Sequence, residues 1–220
     1  MILPSLARRS FAEFLGTFVL VFAGTGAIVV NDATHAITHA GIAITFGLVV
    51  LALIYCLGDI SGAHFNPAVT LGFVFAQRFP LQQATPYIAV QILGALAASG
   101  LLKFLFPENL NLGATRPTGS GQQSFIFEVI LTWFLMLTIL SVSTGAKEKG
   151  ITAGIAIGAI IALEAMFAGP ISGASMNPAR SIGPAIISGN LLYLELYLVA
   201  PVLGAVLAVP TFAIIREPAT

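Results

Sequence analysis

Long apolar runs alternate with short polar stretches along this chain. A helix needs about 20 mostly apolar residues to cross the hydrocarbon core of a bilayer. Six runs meet or approach that length, and the second is short for a span. They predict an all-α membrane protein with six transmembrane helices over approximately 11–30, 41–57, 86–105, 124–143, 150–168 and 192–213. The stretches at 32–39, 107–123 and 144–150 are polar or rich in turn residues, and they predict connections.

The composition excludes several other classes of protein. Charged residues make up 8% and hydrophobic residues 57% of the 220 residues, and mean hydropathy is +0.98. A soluble domain carries roughly 25% charged residues, so this chain could not cover a water-facing surface. The zero net charge argues against a nucleic-acid partner. The single cysteine, Cys56, excludes a disulfide framework and a Cys-rich metal site, and we expect neither a metal nor a cofactor.

The distribution of Lys and Arg predicts the orientation in the bilayer, because cytoplasmic loops carry the excess of these residues. Placing both termini in the cytoplasm leaves only Lys103 and Arg116 at the outer end, with Arg180 set aside because it lies in a special segment. Six basic residues then lie inside, namely Arg8, Arg9, Arg78, Lys147, Lys149 and Arg216. The short segments flanking the first and last spans suggest a prokaryotic protein, and hence a bacterial cytoplasmic membrane.

An internal repeat divides the chain into two halves. Residues 60–72 read ISGAHFNPAVTLG and residues 171–183 read ISGASMNPARSIG, with eight identities in thirteen positions. The repeat extends to Glu13 and Glu128, which occupy matching positions in AEFLGTFVLVF and FEVILTWFLML. The halves cover approximately 1–110 and 120–220, with three spans each. Because three is odd, the second half must enter the membrane in the opposite sense, which makes the repeat inverted.

Each Asn-Pro-Ala motif has the chemistry of a helix start. Asn is a strong N-cap, and Pro at the first helical position has no N–H to leave unpaired. The residues that follow, 68–77 and 179–188, are too few to span the bilayer. They predict two half-helices that dip in from opposite faces, with their N-termini meeting near the midplane.

The Ser-Gly-Ala run before each motif predicts non-helical backbone at membrane depth. Such backbone is tolerated only where it is buried in protein or lines a water-filled path. We therefore expect a row of carbonyl acceptors along a pore, from Gly62, Ala63 and His64 in one half and Gly173, Ala174 and Ser175 in the other. The alternative is a pair of kinked helices packed in a bundle core.

The paired motifs SGAHFNPAVT and SGASMNPARS, together with Glu13 and Glu128, resemble the aquaporin (major intrinsic protein) family over essentially the whole chain. The resemblance implies one channel domain over 1–220, and a homotetramer in which each subunit has its own pore for water or small solutes. It also implies that the two half-helix N-termini and the Asn amides interrupt proton conduction along the water file. The motif residues are Asn66, Pro67, Ala68, Asn177, Pro178 and Ala179.

By the same resemblance, four positions form the narrowest part of the pore, the selectivity filter: Phe46, Ala165, Ala174 and Arg180. Water-selective members commonly place a histidine where this chain has Ala165. The two alanines predict a wider and less polar filter. The loop sequences resemble most closely the plant nodulin-like intrinsic proteins and their bacterial relatives. That likeness implies passage of glycerol, urea and neutral metalloid hydroxides as well as water, and a water-selective channel is the alternative.

Four other polar residues need an interpretation. By resemblance, Glu13 and Glu128 each hold a half-helix loop through backbone hydrogen bonds, and the alternative is a charge near the interface. Glu164 neighbours Ala165 but is rotated about 100° away from the pore axis, which favours a structural contact. His64 either lines the inner vestibule, as the resemblance implies, or is a packed histidine.

The sequence lacks the residues that other classes of membrane protein require. An active transporter normally needs titratable groups at the midplane, where this chain offers two amides and carbonyls. An intramembrane enzyme needs a nucleophile with a base, or a set of metal ligands. His35 and His39 have the spacing of a metal pair, but they fall in a predicted outer loop without a full set of ligands. An adhesive junction role is a further possibility within the family.

Overall fold

The computed structural model describes residues 5–143 and 147–216, which form eight α-helices and contain no strand. Six helices are long and apolar enough to cross a membrane, and two are short. In chain order they are α1 (Leu6–Thr34), α2 (Thr38–Ser61), α3 (Pro67–Phe75), α4 (Leu81–Leu105), α5 (Gly121–Val142), α6 (Lys147–Ser172), α7 (Pro178–Ser188) and α8 (Leu194–Ile215). The predicted all-α class, the six spans and the two half-helices are confirmed.

Five of the six spans are longer than the hydropathy pattern predicts, because caps end a helix and isolated polar residues do not. The α1 helix starts where the Ser5 hydroxyl accepts a hydrogen bond from the Arg8 amide, and it continues to Thr34. Residues 32–34 are therefore helical, which corrects the predicted connection. The α2 helix runs through Asp59 and has 24 residues, enough for a full span. Of the predicted connection at 144–150, residues 147–150 are helical and 144–146 lie outside the described residues.

The half-helices begin at the residues that the sequence predicts. Asn66 and Asn177 are the N-caps of α3 and α7, and a proline follows each of them. With 9 and 11 residues the helices are about 14 and 17 Å long, roughly half of the hydrocarbon thickness. The α3 helix ends at Phe75, two residues earlier than predicted, because Gln77 has a left-handed backbone with a φ of 57°.

The long helices pack in equivalent pairs in the two halves, α1 on α4 and α5 on α8. A glycine allows each close approach. A Cβ on Gly94 would lie 2.4 Å from the carbonyl oxygen of Phe14, and one on Gly204 would lie 2.3 Å from that of Val129. These carbonyls belong to the residues that follow Glu13 and Glu128. The backbone around each glutamate is therefore held firmly against the neighbouring span.

The half-helices pack across the two halves of the chain. The α3 helix of the first half packs against α8, and the α7 helix of the second half packs against α4. At the second contact, a Cβ on Gly183 would lie 2.6 Å from the Ala95 carbonyl oxygen. Because each half-helix packs against a span of the other half, the two capped N-termini meet in the centre of the protein, where the candidate site lies.

Candidate pore and selectivity filter

The two motif asparagines bind one another's loops. The Asn66 Nδ2 donates to the carbonyl of Met176 at 2.7 Å, and the Asn177 Nδ2 donates to the carbonyl of Phe65 at 2.9 Å. Each Oδ1 caps its own half-helix by accepting from the second residue after it, Ala68 or Ala179. An amide nitrogen carries two N–H groups. One of them on each asparagine therefore remains to donate to a passing oxygen atom.

Glu13 holds the loop that leads into α3. Its Oε1 accepts from the Ser61 hydroxyl at 2.6 Å and from the backbone N–H of His64 at 3.0 Å. Its Oε2 accepts from the backbone N–H of Phe65 at 2.6 Å and from the Gln91 amide at 2.8 Å. The side chain is fully buried. The carboxylate therefore replaces water as the acceptor for a stretch of backbone that has no helical partner.

Glu128 makes the equivalent contacts with the loop that leads into α7. Its Oε1 accepts from the Ser172 hydroxyl at 2.8 Å and from the backbone N–H of Ser175 at 2.9 Å, and its Oε2 accepts from that of Met176 at 2.8 Å. This side chain is also fully buried, so neither glutamate is an interfacial charge. The geometry matches the loop-anchoring contacts that the sequence predicts.

The backbone before each motif alternates in handedness. The φ angles of Ala63 and Phe65 are 52° and 48°, and those of Ala174 and Met176 are 41° and 53°. This left-handed backbone is costly for residues with a Cβ, and the hydrogen bonds to the glutamates maintain it. The predicted non-helical runs are wrong at their first residue. Ser61 and Ser172 are helical, as the last residues of α2 and α6.

The six carbonyls predicted to face a pore accept no hydrogen bond from the part of the chain that the structure describes. Five of their residues border one cavity between the two halves, and Gly173 does not. Since buried carbonyls are normally paired, a row of free ones beside a cavity suits a path for molecules that donate hydrogen bonds. The five residues are Gly62, Ala63, His64, Ala174 and Ser175.

Two tyrosines support the loops in a way that the sequence analysis missed. The Tyr87 hydroxyl donates to the Ser61 carbonyl at 2.9 Å, and the Tyr197 hydroxyl donates to the Ser172 carbonyl at 2.6 Å. Both rings are fully buried. The repeat carries the signal that would have found them. Tyr87 precedes Gly94 by the same seven residues that separate Tyr197 from Gly204.

His64 fits both interpretations that the sequence left open. It borders the cavity, and it is also packed, with its ring stacked on Phe73 at 4.7 Å between centroids. Its Nδ1 lies 3.1 Å from the Thr70 hydroxyl, which in turn accepts from the Gln91 amide. His39, by contrast, lies in α2 rather than in a loop, and its Nε2 is 2.7 Å from the Met166 carbonyl oxygen.

All four predicted filter residues border the same cavity. The Arg180 side chain is 2% exposed, and its Nη1 donates to the Gly113 carbonyl at 2.8 Å. Its guanidinium carbon lies 5.2 Å from the centroid of the Phe46 ring. Among the described residues, no carboxylate pairs with this cation. Ala165 and Ala174 contribute only methyl groups, so the polar contacts here come from Arg180 and backbone.

Gly113 is a site residue that sequence reasoning did not find. It lies in the connection between α4 and α5, and its carbonyl is the acceptor that orients Arg180. The same connection contributes the Thr115 hydroxyl, which donates to the Ser181 hydroxyl in α7 at 2.8 Å. Nothing in the local sequence marks this connection, because its role depends on folding back onto α7.

Glu164 is fully buried and lies outside the set of residues that border the cavity. Neither of its carboxyl oxygens has a hydrogen-bond partner in the described part of the chain. The prediction that it points away from the pore axis is consistent with this placement.

We expect Glu164→Met to stabilise the protein, because an unpaired buried polar group costs about 1–3 kcal/mol. Thermal unfolding in detergent should move to a higher temperature, with water flux in liposomes unchanged. Glu195→Met is the matched control, since Glu195 is an exposed glutamate on α8. A lower unfolding temperature for Glu164→Met alone would mean that its carboxyl group makes a stabilising contact.

Six membrane spans and two capped half-helices that meet beside a buried cavity define a channel of the aquaporin type. A sequence profile described as "Major intrinsic protein" matches residues 3–212. The chain belongs to the major intrinsic protein family, and it is a channel rather than an enzyme.

Relatives from plants cover almost all of the chain. A maize protein named aquaporin NIP1-1 is 46% identical over 95% of this chain and 75% of its own length. Nodulin-26 from Glycine max is 47% identical over 95% of this chain and 78% of its own length. Among solved structures, the aquaglyceroporin from Plasmodium falciparum superposes with a TM-score of 0.87 at 28% identity, covering 96% of this chain and 97% of that one. The expected resemblance to nodulin-like proteins is confirmed.

Proposed function

We propose that this protein is a passive channel for water and small neutral solutes, namely glycerol, urea and metalloid hydroxides such as arsenous or boric acid. It excludes protons and ions. The observation that carries the proposal is the composition of the filter, in which Phe46, Arg180 and two alanines line one cavity. The names of the relatives, aquaporin and aquaglyceroporin, support the same solute class.

The filter suits a molecule with both apolar and polar surfaces. The Phe46 ring and the two alanine methyl groups contact carbon, while the Arg180 N–H groups donate to hydroxyl oxygens. A histidine at Ala165 would fill the space and add a polar group. Without one, we expect the opening to admit a polyol or a trigonal metalloid hydroxide.

Exclusion of protons follows from the meeting of the half-helices. Each helix N-terminus carries about half a positive charge, and the free N–H groups of Asn66 and Asn177 donate to the same water molecule. A water that accepts two hydrogen bonds across the axis cannot pass a proton along it. Arg180 adds a full positive charge nearby, which repels cations.

The whole chain, 1–220, acts as a single channel domain made of two inverted repeats over approximately 1–110 and 120–220. The matching contacts of Glu13 and Glu128 support this division. We place both termini in the cytoplasm and the protein in a homotetramer, which would cover the apolar side chains on its outer faces. A bacterial cytoplasmic membrane remains a prediction from size, and the plant relatives give it no support.

Stopped-flow light scattering on proteoliposomes tests the proposal. Vesicles should shrink fast in a gradient of impermeant sucrose and should reswell rapidly in an inward gradient of glycerol. Fast shrinkage without rapid reswelling would mean a water-selective channel, and it would contradict the wide filter. Saturable, proton-coupled glycerol uptake would instead indicate an active transporter.

Ala165→His should suppress glycerol flux and spare water flux, because the imidazole fills the space opposite Phe46. A loss of about 10-fold in glycerol permeability corresponds to a barrier raised by about 1.4 kcal/mol. Ala165→Gly is the matched control at the same position and should keep glycerol flux. Unchanged glycerol flux in Ala165→His would remove Ala165 from the filter.

A further inference from the structure

The Phe46 ring occupies the space that a side chain on α1 would fill. A Cβ built on Gly24 would lie 2.2 Å from Cε1, 2.5 Å from Cζ and 2.6 Å from Cδ1 of this ring. Real Cβ contacts essentially never fall below 3.0 Å. The ring therefore rests directly on the α1 backbone, and it can do so only because residue 24 is a glycine.

The same ring also lies beside Arg180. The guanidinium carbon lies 5.2 Å from the ring centroid, and Nη1 is held by the Gly113 carbonyl. Both side chains border the cavity. A ring pushed off Gly24 would therefore change the lining of the cavity next to the guanidinium, where we place the solute path.

The next residue of α1, Thr25, contacts the loop that holds Arg180, which forms the other wall of the filter. A Cβ on Gly113 would lie 2.9 Å from the Cβ of Thr25 and 3.1 Å from its carbonyl oxygen, and the φ of Gly113 is +69°. The loop that holds Arg180 therefore rests on Thr25, while the ring of Phe46 rests on Gly24. One turn of α1 determines how far apart the two walls stand.

We propose that Gly24 is a positioning residue that determines the width of the selectivity filter, acting through the Phe46 ring. It does not touch the solute itself. Its missing side chain keeps the ring back from Arg180, which admits solutes wider than water. This inference rests on the proposed function, because it requires that solutes pass between Phe46 and Arg180.

Gly24→Ala tests the proposal in proteoliposomes. Glycerol permeability should fall by about 10-fold or more, the effect of one extra carbon in a closely fitting apolar site, with urea affected less and water within about 2-fold. Gly26→Ala is the matched control on the same helix, because its Cβ would meet only Leu102 Cδ2 at an ordinary 3.4 Å. It should transport like the wild type.

A second substitution separates positioning from general damage. Phe46→Leu in the Gly24→Ala background shortens the displaced side chain, and glycerol permeability should recover to the level of Phe46→Leu alone. Wild-type glycerol flux in Gly24→Ala would overturn the proposal. An equal loss of water and glycerol that Phe46→Leu does not restore would overturn it as well.

Two further outcomes remain decisive. If Gly24→Ala alone fails to assemble, the double variant with Phe46→Leu should assemble, because the clash is with the Phe46 ring. Failure of the double variant to assemble would contradict the proposal. If the wild type carries no glycerol, the proposed function fails on that result alone. Gly24→Ala should then reduce water flux, with Phe46→Leu restoring it, and unchanged water flux would overturn the positioning role.

Discussion

Glu128→Ala should destabilise this protein so strongly that little of it assembles. The substitution leaves three buried donors without an acceptor, namely the Ser172 hydroxyl and the backbone N–H groups of Ser175 and Met176. Each such donor costs about 1–3 kcal/mol, so the sum is about 5 kcal/mol. That is comparable to the whole free energy of unfolding of a typical domain, about 5–15 kcal/mol.

The left-handed backbone at Ala174 and Met176 adds to this effect, because Glu128 is the acceptor for the Met176 N–H and for the Ser172 hydroxyl, to which the Ala174 N–H donates. Glu128→Gln should be intermediate, since it keeps one acceptor oxygen but points an NH₂ group at a backbone N–H. Glu13→Ala should show the same loss in the other half, where four donors depend on the carboxylate.

Yield of monodisperse protein and thermal unfolding in detergent measure these effects. Glu195→Ala is the matched control, because Glu195 is an exposed glutamate on α8 and should behave like the wild type. A Glu128→Ala protein that assembles, unfolds at the wild-type temperature and conducts normally would contradict the anchoring role. If Glu195→Ala also lowered the yield or the unfolding temperature, the result would point to a general requirement for acidic residues.

Arg180→Val should admit cations to the pore. The guanidinium is buried, has no carboxylate partner among the described residues, and borders the cavity. At about 5 Å and an effective dielectric constant of about 20, a unit charge repels a passing cation by about 3 kcal/mol. Its removal should therefore raise cation or proton leak by about 100-fold, while glycerol flux persists or rises.

A pH-sensitive dye inside proteoliposomes, with a membrane potential set by potassium and valinomycin, measures this leak. Arg116→Val is the matched control, since Arg116 is an exposed arginine in the connection between α4 and α5. It should leave the leak at the wild-type level. A tight Arg180→Val channel would mean that the half-helices and their asparagines exclude cations without the filter.

Several site features could be predicted because their causes are local in sequence. The Asn-Pro pairs at 66–67 and 177–178 start helices by their own capping chemistry, wherever they lie. The repeat then identified Glu13 and Glu128, and it also predicted two half-helices. The helix ends at Thr34 and Ser61 were missed, since hydropathy falls before a cap ends the helix.

Other features depend on pairs of residues that are far apart in the chain. Gly113 orients Arg180, and Gly24 accommodates the ring of Phe46, yet neither glycine differs locally from the many others. The orphan carboxyl of Glu164 likewise appears only when its surroundings are known. Each depends on how segments far apart in the chain pack together, which no pattern along one segment contains.

The membrane class, the number of spans, the duplicated motif and the residues that cap the half-helices could thus all be predicted from the sequence. Apolar run length and capping chemistry are properties of a few consecutive residues, which explains this success. The distance between Phe46 and Arg180 could be learned only from the folded protein. It depends on the close packing of α1 against α2 and the α4–α5 connection, where a Cβ on Gly24 would lie 2.2 Å from the Phe46 ring.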